Sequence, residues 1–319
     1  MEKELISVIM SAYNEREEWL RKSIESILKQ TYENIELILI LDKPDNEKLR
    51  SVIEEYQKKD FRLIFIPNEE NIGLVESLNK ALTYVKGTYV ARMDADDISY
   101  TDRLEKQMKT LQESGADFVM SAIDILYEDG SGVAGKADEA FGAEQVAEVM
   151  KYGNIAHHPT WLMKKEVYDN LEGYRNVSYC EDMEFVLRAL QKGYRLVKSS
   201  DHVVRYRVRE GSVSKSYTME QAMKAQYLRK KYAAGMELVK IPEEELNRRF
   251  SGYTENQKQK FQNADRMLEL FCQNMAEGHW GGCIMYFSKG FLGNMYFRRL
   301  FIEFLKSFLV RKRLAGKGI

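Results

Sequence analysis

Four short apolar runs, at residues 5–10, 35–41, 62–66 and 89–93, alternate in this chain with stretches whose apolar residues recur at helical spacing. The first spacer carries Leu20, Ile24, Ile27 and Leu28, the second Leu49, Val52, Ile53 and Tyr56, and the third Leu74, Leu78, Leu82 and Val85. A continuously apolar strand has both faces buried, and amphipathic helices between such strands predict a mostly parallel sheet covered on both sides, an α/β fold. Sheets of that kind bind ligands beyond the carboxyl ends of their strands. Those ends fall at Ser11-Ala12-Tyr13-Asn14-Glu15, at Asp42, and at Asp94-Ala95-Asp96-Asp97.

The last of these places three carboxylates within four residues. Packed so closely they repel, and a divalent cation such as Mg²⁺ or Mn²⁺, shared with substrate phosphates, neutralises them. The plainer alternative is a solvated acidic turn capping a helix that starts near Tyr100. Neither the G-x-G-x-x-G nor the G-x-x-x-x-G-K-[ST] phosphate loop occurs, which excludes a dinucleotide-binding or P-loop enzyme by motif.

After a strand at 118–123 the alternation loosens. Asp129-Gly130-Ser131-Gly132 reads as a turn and 142–151 as a short helix. Glu181 and Asp182 open an amphipathic helix containing Phe185, Val186, Ala189 and Leu190. The helix dipole favours carboxylates there, and the same position holds a general base rigidly. His157 and His158 precede Pro159 in a turn suited to a substrate contact, although an exposed or backbone-bonded histidine is the commoner case. His202 and His279 read as structural. Arg207 and Arg209, near the turn at Gly211-Ser212, suit a diphosphate or a solvated strand edge.

The 319 residues carry 48 basic and 49 acidic side chains, a net charge of −1 that gives no chain-wide case for nucleic-acid binding. From Lys289 onward eight bases face one acid, Glu303, so a basic tail follows an acidic body. Three cysteines without metal-site spacing fit reduced thiols in a cytoplasmic compartment. No leader is readable at Met1-Glu2-Lys3-Glu4, and no apolar run of about twenty residues suggests a membrane span.

Taken together, these pieces resemble the GT-A nucleotide-sugar glycosyltransferases, specifically the inverting family 2 that builds capsular and cell-wall polysaccharides. The resemblance covers about residues 5–215. It rests on the ordered fragments Val8-Ile9-Met10-Ser11-Ala12-Tyr13-Asn14-Glu15, Asp42, Asn71-Ile72-Gly73-Leu74, Asn79-Lys80-Ala81, Gly87-Thr88-Tyr89, Arg92-Met93-Asp94-Ala95-Asp96-Asp97 and Asp102-Arg103-Leu104-Glu105-Lys106-Gln107. His158-Pro159, Gly173-Tyr174, Glu181-Asp182 and Tyr206-Arg207 follow. The resemblance implies that Ser11, Ala12, Asn14 and Glu15 line the nucleotide pocket and that Asp42 meets uracil or another base. It implies that Asp94 faces the ribose or diphosphate, that Asp96 coordinates the metal with Asp94 nearby, and that Asp97 assists either role. Asp182 becomes the general base and Glu181 its neighbour. Lys43-Pro44-Asp45 replaces the Asp-Gly-Ser that often follows the position of Asp42, and Arg209 stands where relatives often have histidine. The Gln-x-x-Arg-Trp motif of processive synthases is absent, so transfer of single sugars is expected.

The remaining third reads as charged helices at 220–234 and 243–275, broken at Gly235, at Pro242 and near Gly252. After His279, aromatics interleave with lysine and arginine. Such a tail suits either the inner face of an anionic membrane, as a peripheral contact serving a lipid-linked acceptor, or docking on the catalytic domain. The expected organisation is a GT-A domain at 1–215 and a helical extension at 216–319. The expected activity is metal-dependent (Mn²⁺ or Mg²⁺), inverting hexosyl transfer from a UDP-sugar to a saccharide hydroxyl. Two other classes share parts of this pattern: a sugar-1-phosphate nucleotidyltransferase, which needs a Gly-rich basic loop that Ser11–Glu15 lacks, and a non-catalytic binding protein keeping the fold.

Overall fold

The four apolar runs form four parallel strands: β1 (Ile6–Ala12), β2 (Ile35–Leu41), β3 (Leu63–Pro67) and β4 (Tyr89–Asp94), in the order β3-β2-β1-β4. The structure, a computed structural model, describes residues 3–133, 139–209 and 218–315. The turn at Gly211-Ser212, Lys317 and the Met1-Glu2 start lie outside the described residues.

Helices α1 (Glu17–Leu28), α2 (Glu47–Lys59) and α3 (Gly73–Leu82) link these strands as the spacing predicts. Strand residues alternate between two cores. Val8, Met10, Leu37 and Leu39 pack with Leu20, Ile24, Leu49 and Val52 on one face, whereas Ile9, Ile38 and Ile40 pack with Val75, Leu78 and Ala81 on the other. Gly87 joins α3 to β4 because its N–H bonds Ser7 Oγ at 2.9 Å and a Cβ there would sit 2.5 Å from the Leu5 carbonyl oxygen.

Beyond β4 the chain runs through β5 (Ile98–Ser99) and α4 (Arg103–Ser114) to β6 (Phe118–Tyr127), two places along the sheet. β7 (Gly132–Val133) pairs with β6, and α5 (Ala143–Val149) follows. The gap between β4 and β6 is filled by β8 (Leu162–Lys164), antiparallel to both and too short to show a period in the sequence. After α6 (Lys165–Asn170) and α7 (Glu181–Gln191) comes β9 (Leu196–Val208), parallel to β6 and bulged near Ala122, which brings Arg205 opposite Ile98 of β5.

The C-terminal region contains helices Thr218–Ala233, Glu243–Arg249, Glu255–Glu277, Trp280–Gly293 and Met295–Ala315. The expected breaks are real: Gly235 and Gly252 have φ of 72° and 77°, and Pro242 caps the helix that follows it. The first of these helices shares the sheet's core through Met219, Met223 and Leu228. In the tail the phenyl rings turn inward, Phe301 meeting Phe271 at 5.2 Å and Phe287 at 4.9 Å between ring centres. The last helix also docks on the sheet-bearing part of the chain, where Arg311 Nε lies 3.1 Å from Glu139 Oε2 and Gln145 Nε2 donates to the Leu314 carbonyl at 3.2 Å. The last helix is thus docked, and packing of the last three helices on one another buries the phenyl rings, while Trp280 stays exposed.

Candidate active site

A cleft of about 630 Å³ opens at the carboxyl end of β4, between the β4–β5 turn, the start of α3 and the start of α7. Asp94, Asp96, Glu181, Asp182, Arg207 and Arg209 all line it. Two acidic segments separated by about 85 residues of sequence thus share one space, which only the fold could establish.

The floor is Arg92. Its guanidinium is fully buried and ion-paired through Nη1 to Asp94 Oδ1, and Nε finds no acceptor among the described residues. Burial alone would lower its pKa, but the field of Asp94 raises it, so the cation persists. Behind it Arg103, also buried, donates from Nη2 to the Arg92 carbonyl at 2.8 Å and from Nε to Gln107 Oε1 at 3.0 Å. Burial beside Arg92 brings Arg103 down to about 9. Gln107 reaches on to Thr160 O at 2.6 Å and Ser121 Oγ at 2.9 Å, tying α4 to the strand ends. The Asp102–Gln107 fragment is thus a scaffold beneath the cleft.

Asp96 sits at the mouth. Its Oδ2 accepts Arg209 Nε at 3.0 Å, and its backbone carbonyl accepts Arg207 Nε at 2.7 Å. The Arg207 guanidinium also lies 4.6 Å from the Trp19 ring centre. Burial and then Asp94 raise the Asp96 carboxyl. Asp97 does not line the cleft. It is buried beneath it, accepting the Arg207 N–H on Oδ1 at 2.7 Å, and burial with two neighbouring carboxylates pushes it well up. Asp97 therefore fastens β9 to the acidic turn.

Across the cleft, Glu181 and Asp182 begin α7, where Asp182 Oδ1 accepts the Met183 N–H at 2.6 Å. Burial, then Asp182, pushes Glu181 up to about 7, and burial raises Asp182 as well. Tyr179, just before them, has φ of 64°, a left-handed conformation that costs a β-carbon residue about 1 kcal/mol or more. Glu184 anchors the helix from behind, fully buried, with Arg188 Nε 2.8 Å from each of its oxygens and Arg175 Nη1 at 3.1 Å.

His158 is not solvent-exposed. Its Nε2 meets the Tyr174 hydroxyl at 2.8 Å, which meets Tyr168 Oη at 2.9 Å, and burial near Arg92 pushes the imidazole well down, so it is neutral. His158 and His157 both line the cleft. The Gly173-Tyr174 turn is clamped to α3 by two bonds with Asn79, each 2.9 Å, and a Cβ on Gly173 would lie 2.5 Å from Asn79 Oδ1. That contact explains why Asn79 and Gly173 belong to one pattern despite their separation.

The residues at the ends of β1 and β2 lie beside the cleft rather than in its lining. None of Ser11, Ala12, Asn14, Glu15 and Asp42 is among the residues that line the cleft. Asp42 is buried, accepting Asn68 Nδ2 (2.8 Å) and the Ile72 N–H (2.9 Å) on Oδ1 and the Gly73 N–H (2.9 Å) on Oδ2. It shapes the start of α3, and Ile72 and Gly73 do line the cleft. The Ala12 carbonyl accepts the Asp42 N–H at 2.8 Å, and Ser11 lies opposite Asp94 in the β1–β4 register. Asn14 Oδ1 accepts Lys43 Nζ at 3.1 Å, and Glu15 accepts the Tyr13 N–H at 2.7 Å. Burial, with Asp96 adding to it, raises the Glu15 carboxyl.

Sequence reasoning did not assign Arg92, Asn154, Asn176, Ser178, Tyr179 or Gln221 to the cleft, yet all line it. Gln221 comes from the helix Thr218–Ala233, so the C-terminal region contributes a wall. An arginine inside an apolar strand was the one readable signal among them, since a buried cation requires a partner.

The pair at the start of α7 has a pH signature. A carboxyl raised from 4.5 to about 7 keeps its proton in the folded chain after the unfolded chain has lost it, so stability falls as pH rises between those values. Glu181→Gln removes that loss. It is expected to raise stability at pH 8 by about 1–3 kcal/mol, with little change at pH 4. Urea titrations at the two pH values check it, and equal effects at both would refute the assignment.

Residues 7–179 match the profile described as Glycosyl transferase family 2, and the chain belongs to that family. It is a glycosyltransferase with the GT-A architecture. An uncharacterised glycosyltransferase of Methanocaldococcus jannaschii is 34% identical over 209 residues, covering 65% of this chain and 72% of that protein. The O-antigen biosynthesis glycosyltransferase WbnJ of Escherichia coli is 31% identical over 216 residues, covering 67% of this chain and 83% of its own. Among solved structures, S. aureus TarS 1-349 in complex with UDP-GlcNAc superposes with a TM-score of 0.58 at 19% identity, over 77% of this chain and 71% of that one, a likeness of fold.

Proposed function

We propose that this chain transfers a single hexosyl residue, with inversion, from a UDP-sugar to a saccharide hydroxyl during polysaccharide biosynthesis. The observation that carries the reading is the placement of Glu181–Asp182 across one cleft from Asp94 and Asp96. The relatives' names support the polysaccharide context: one acts in O-antigen biosynthesis and another, AmsE of Erwinia amylovora, in amylovoran biosynthesis. TarS, bound to UDP-GlcNAc, supports the donor class.

In this reading residues 1–215 are the catalytic unit and 216–319 a helical extension that completes the cleft through Gln221. Ser11, Ala12, Asn14 and Glu15 form the nucleoside rim. Asp42 shapes the Ile72–Gly73 turn, and Oδ2, with one donor assigned, keeps a lone pair for the base. Arg207 and Arg209 face the diphosphate. Asp182 takes the proton of the acceptor hydroxyl as its oxygen attacks the anomeric carbon, and the bond from that carbon to the diphosphate oxygen breaks on the opposite face. Glu181 holds acceptor or donor hydroxyls. An acceptor carried on lipid would place the enzyme at the cytoplasmic face of a membrane.

The residues also fit a Mn²⁺ or Mg²⁺ ion. Asp96 and Asp94 face the cleft, and the crowding that raises Asp96 is what a cation relieves. Among the described residues no three His, Cys, Asp or Glu side chains converge to hold an ion, so donor phosphate oxygens would complete the shell. When bound, the ion stabilises charge on the departing diphosphate. Calorimetric titration with UDP, with and without Mn²⁺, tests the donor site. Mn²⁺-dependent UDP binding is expected, and Asp96→Ala should weaken it by about tenfold or more. GDP binding in place of UDP would change the donor class, and a folded chain binding neither nucleotide would sink the reading.

A further inference from the structure

We infer that the outward faces of the last two helices, Trp280–Gly293 and Met295–Ala315, dock on an anionic lipid surface. The inference deepens the lipid-linked acceptor reading and rests on it for its purpose alone.

With the phenyl rings turned inward, the outward face of the first helix still presents Trp280, Ile284, Met285 and Leu292, at 69, 68, 54 and 83% exposure. The last helix presents Ile302, Leu305 and Leu309 in a line, flanked by exposed Arg298, Arg299, Lys306 and Lys312. Large apolar side chains left in water at this density mark an interaction surface. The bases have stems that cover apolar surface while their charges reach outward.

The position of the single acid decides the occupant. Glu303 points into the bundle, where it accepts Arg229 Nη2 at 2.6 Å and the Gln226 amide. The outward faces of these two helices therefore carry cations and no carboxylate. Two copies of such a face repel each other, whereas a layer of anionic headgroups over an apolar interior matches both components. Among the described residues no helix is long and apolar enough to cross a membrane, so the helices would lie in its surface.

Vesicle flotation of the full chain tests this, comparing phosphatidylcholine alone with phosphatidylcholine containing about 30% phosphatidylglycerol. Binding is expected only to the anionic vesicles and should fall as salt is raised. The double variant Arg298→Glu/Arg299→Glu, and separately Ile284→Ser/Leu292→Ser, should partition about tenfold or more weaker, with circular dichroism and UDP titration unchanged. No flotation, equal flotation of the folded variants, or a lipid-free dimer that Ile284→Ser/Leu292→Ser dissociates would each overturn the inference. Flotation without sugar transfer would leave it standing and remove the proposed function instead.

Discussion

Replacing Asp182 by asparagine should lower kcat for sugar transfer by about 10²–10⁴-fold, the usual contribution of a positioned general base, while UDP binding holds within about twofold. Asparagine keeps the shape and can still meet the Met183 N–H through its carbonyl oxygen. It loses only the ability to take a proton. Because burial raises Asp182 beside an equally buried Glu181, the rate should climb with pH above the ordinary carboxylate range and level off once the pair is ionised. Glu181→Gln removes a like charge and should move that climb to lower pH. A kcat/KM profile for each variant separates the roles. If Glu181→Gln proves the inactive one and Asp182→Asn retains turnover, the assignments are exchanged.

The second large effect concerns stability. Glu184→Ala should cost about 3–5 kcal/mol, because it leaves Arg188, and in part Arg175, buried without their carboxylate. Arg188 also donates to the Leu171 and Gly173 carbonyls at 2.7 and 3.0 Å, so the loss would loosen the turn before α7 as well as the helix. Urea denaturation measures it. The exposed pair Lys240–Glu237 is the control, and its removal should change stability by about 0.5 kcal/mol or less. A Glu184→Ala cost as small as that would mean the buried pair contributes nothing net.

How much of this was legible beforehand follows from how each feature is encoded. The parallel half of the sheet was readable because buried strands must be apolar throughout and their helices must show a 3.6 period. β8 was not readable because three residues carry no period. β9 was hidden because Lys198, Asp201, His202 and Arg205 interrupt it with polar groups that the fold satisfies, as where Lys198 Nζ donates to the Glu139 carbonyl at 3.2 Å and Asp124 lies 2.8 Å from His202. Within the site, Asp94, Asp96, Glu181 and Asp182 were named from acidity at strand and helix ends, and the fold brings them together. Ser11, Ala12, Asn14, Glu15 and Asp42 were named from the resemblance; they do not line the cleft, although Glu15 is close enough to Asp96 to feel its charge. The walls at Asn154, Asn176 and Gln221 come from loops and a helix whose approach depends on long-range packing, and neutral side chains give no local signal.

Arg175 joins what the sequence divides. Its guanidinium touches Glu184 of α7 while donating to the Ile241 carbonyl at 2.6 Å and the Leu238 carbonyl at 3.1 Å, and it pairs with Glu243 at 3.2 Å. A single planar fork thus rivets the helix bearing the acidic pair to the C-terminal region. For protein engineering, the extension is not a cassette to be exchanged at residue 216. A chimera assembled there would leave Arg175 its pair with Glu184 but strip away the Leu238 and Ile241 carbonyls and Glu243, loosening the anchor of α7 even with every acidic residue of the cleft intact. The workable junction must carry Arg175, Glu184 and the segment from Gln221 to Glu243 as one inherited block.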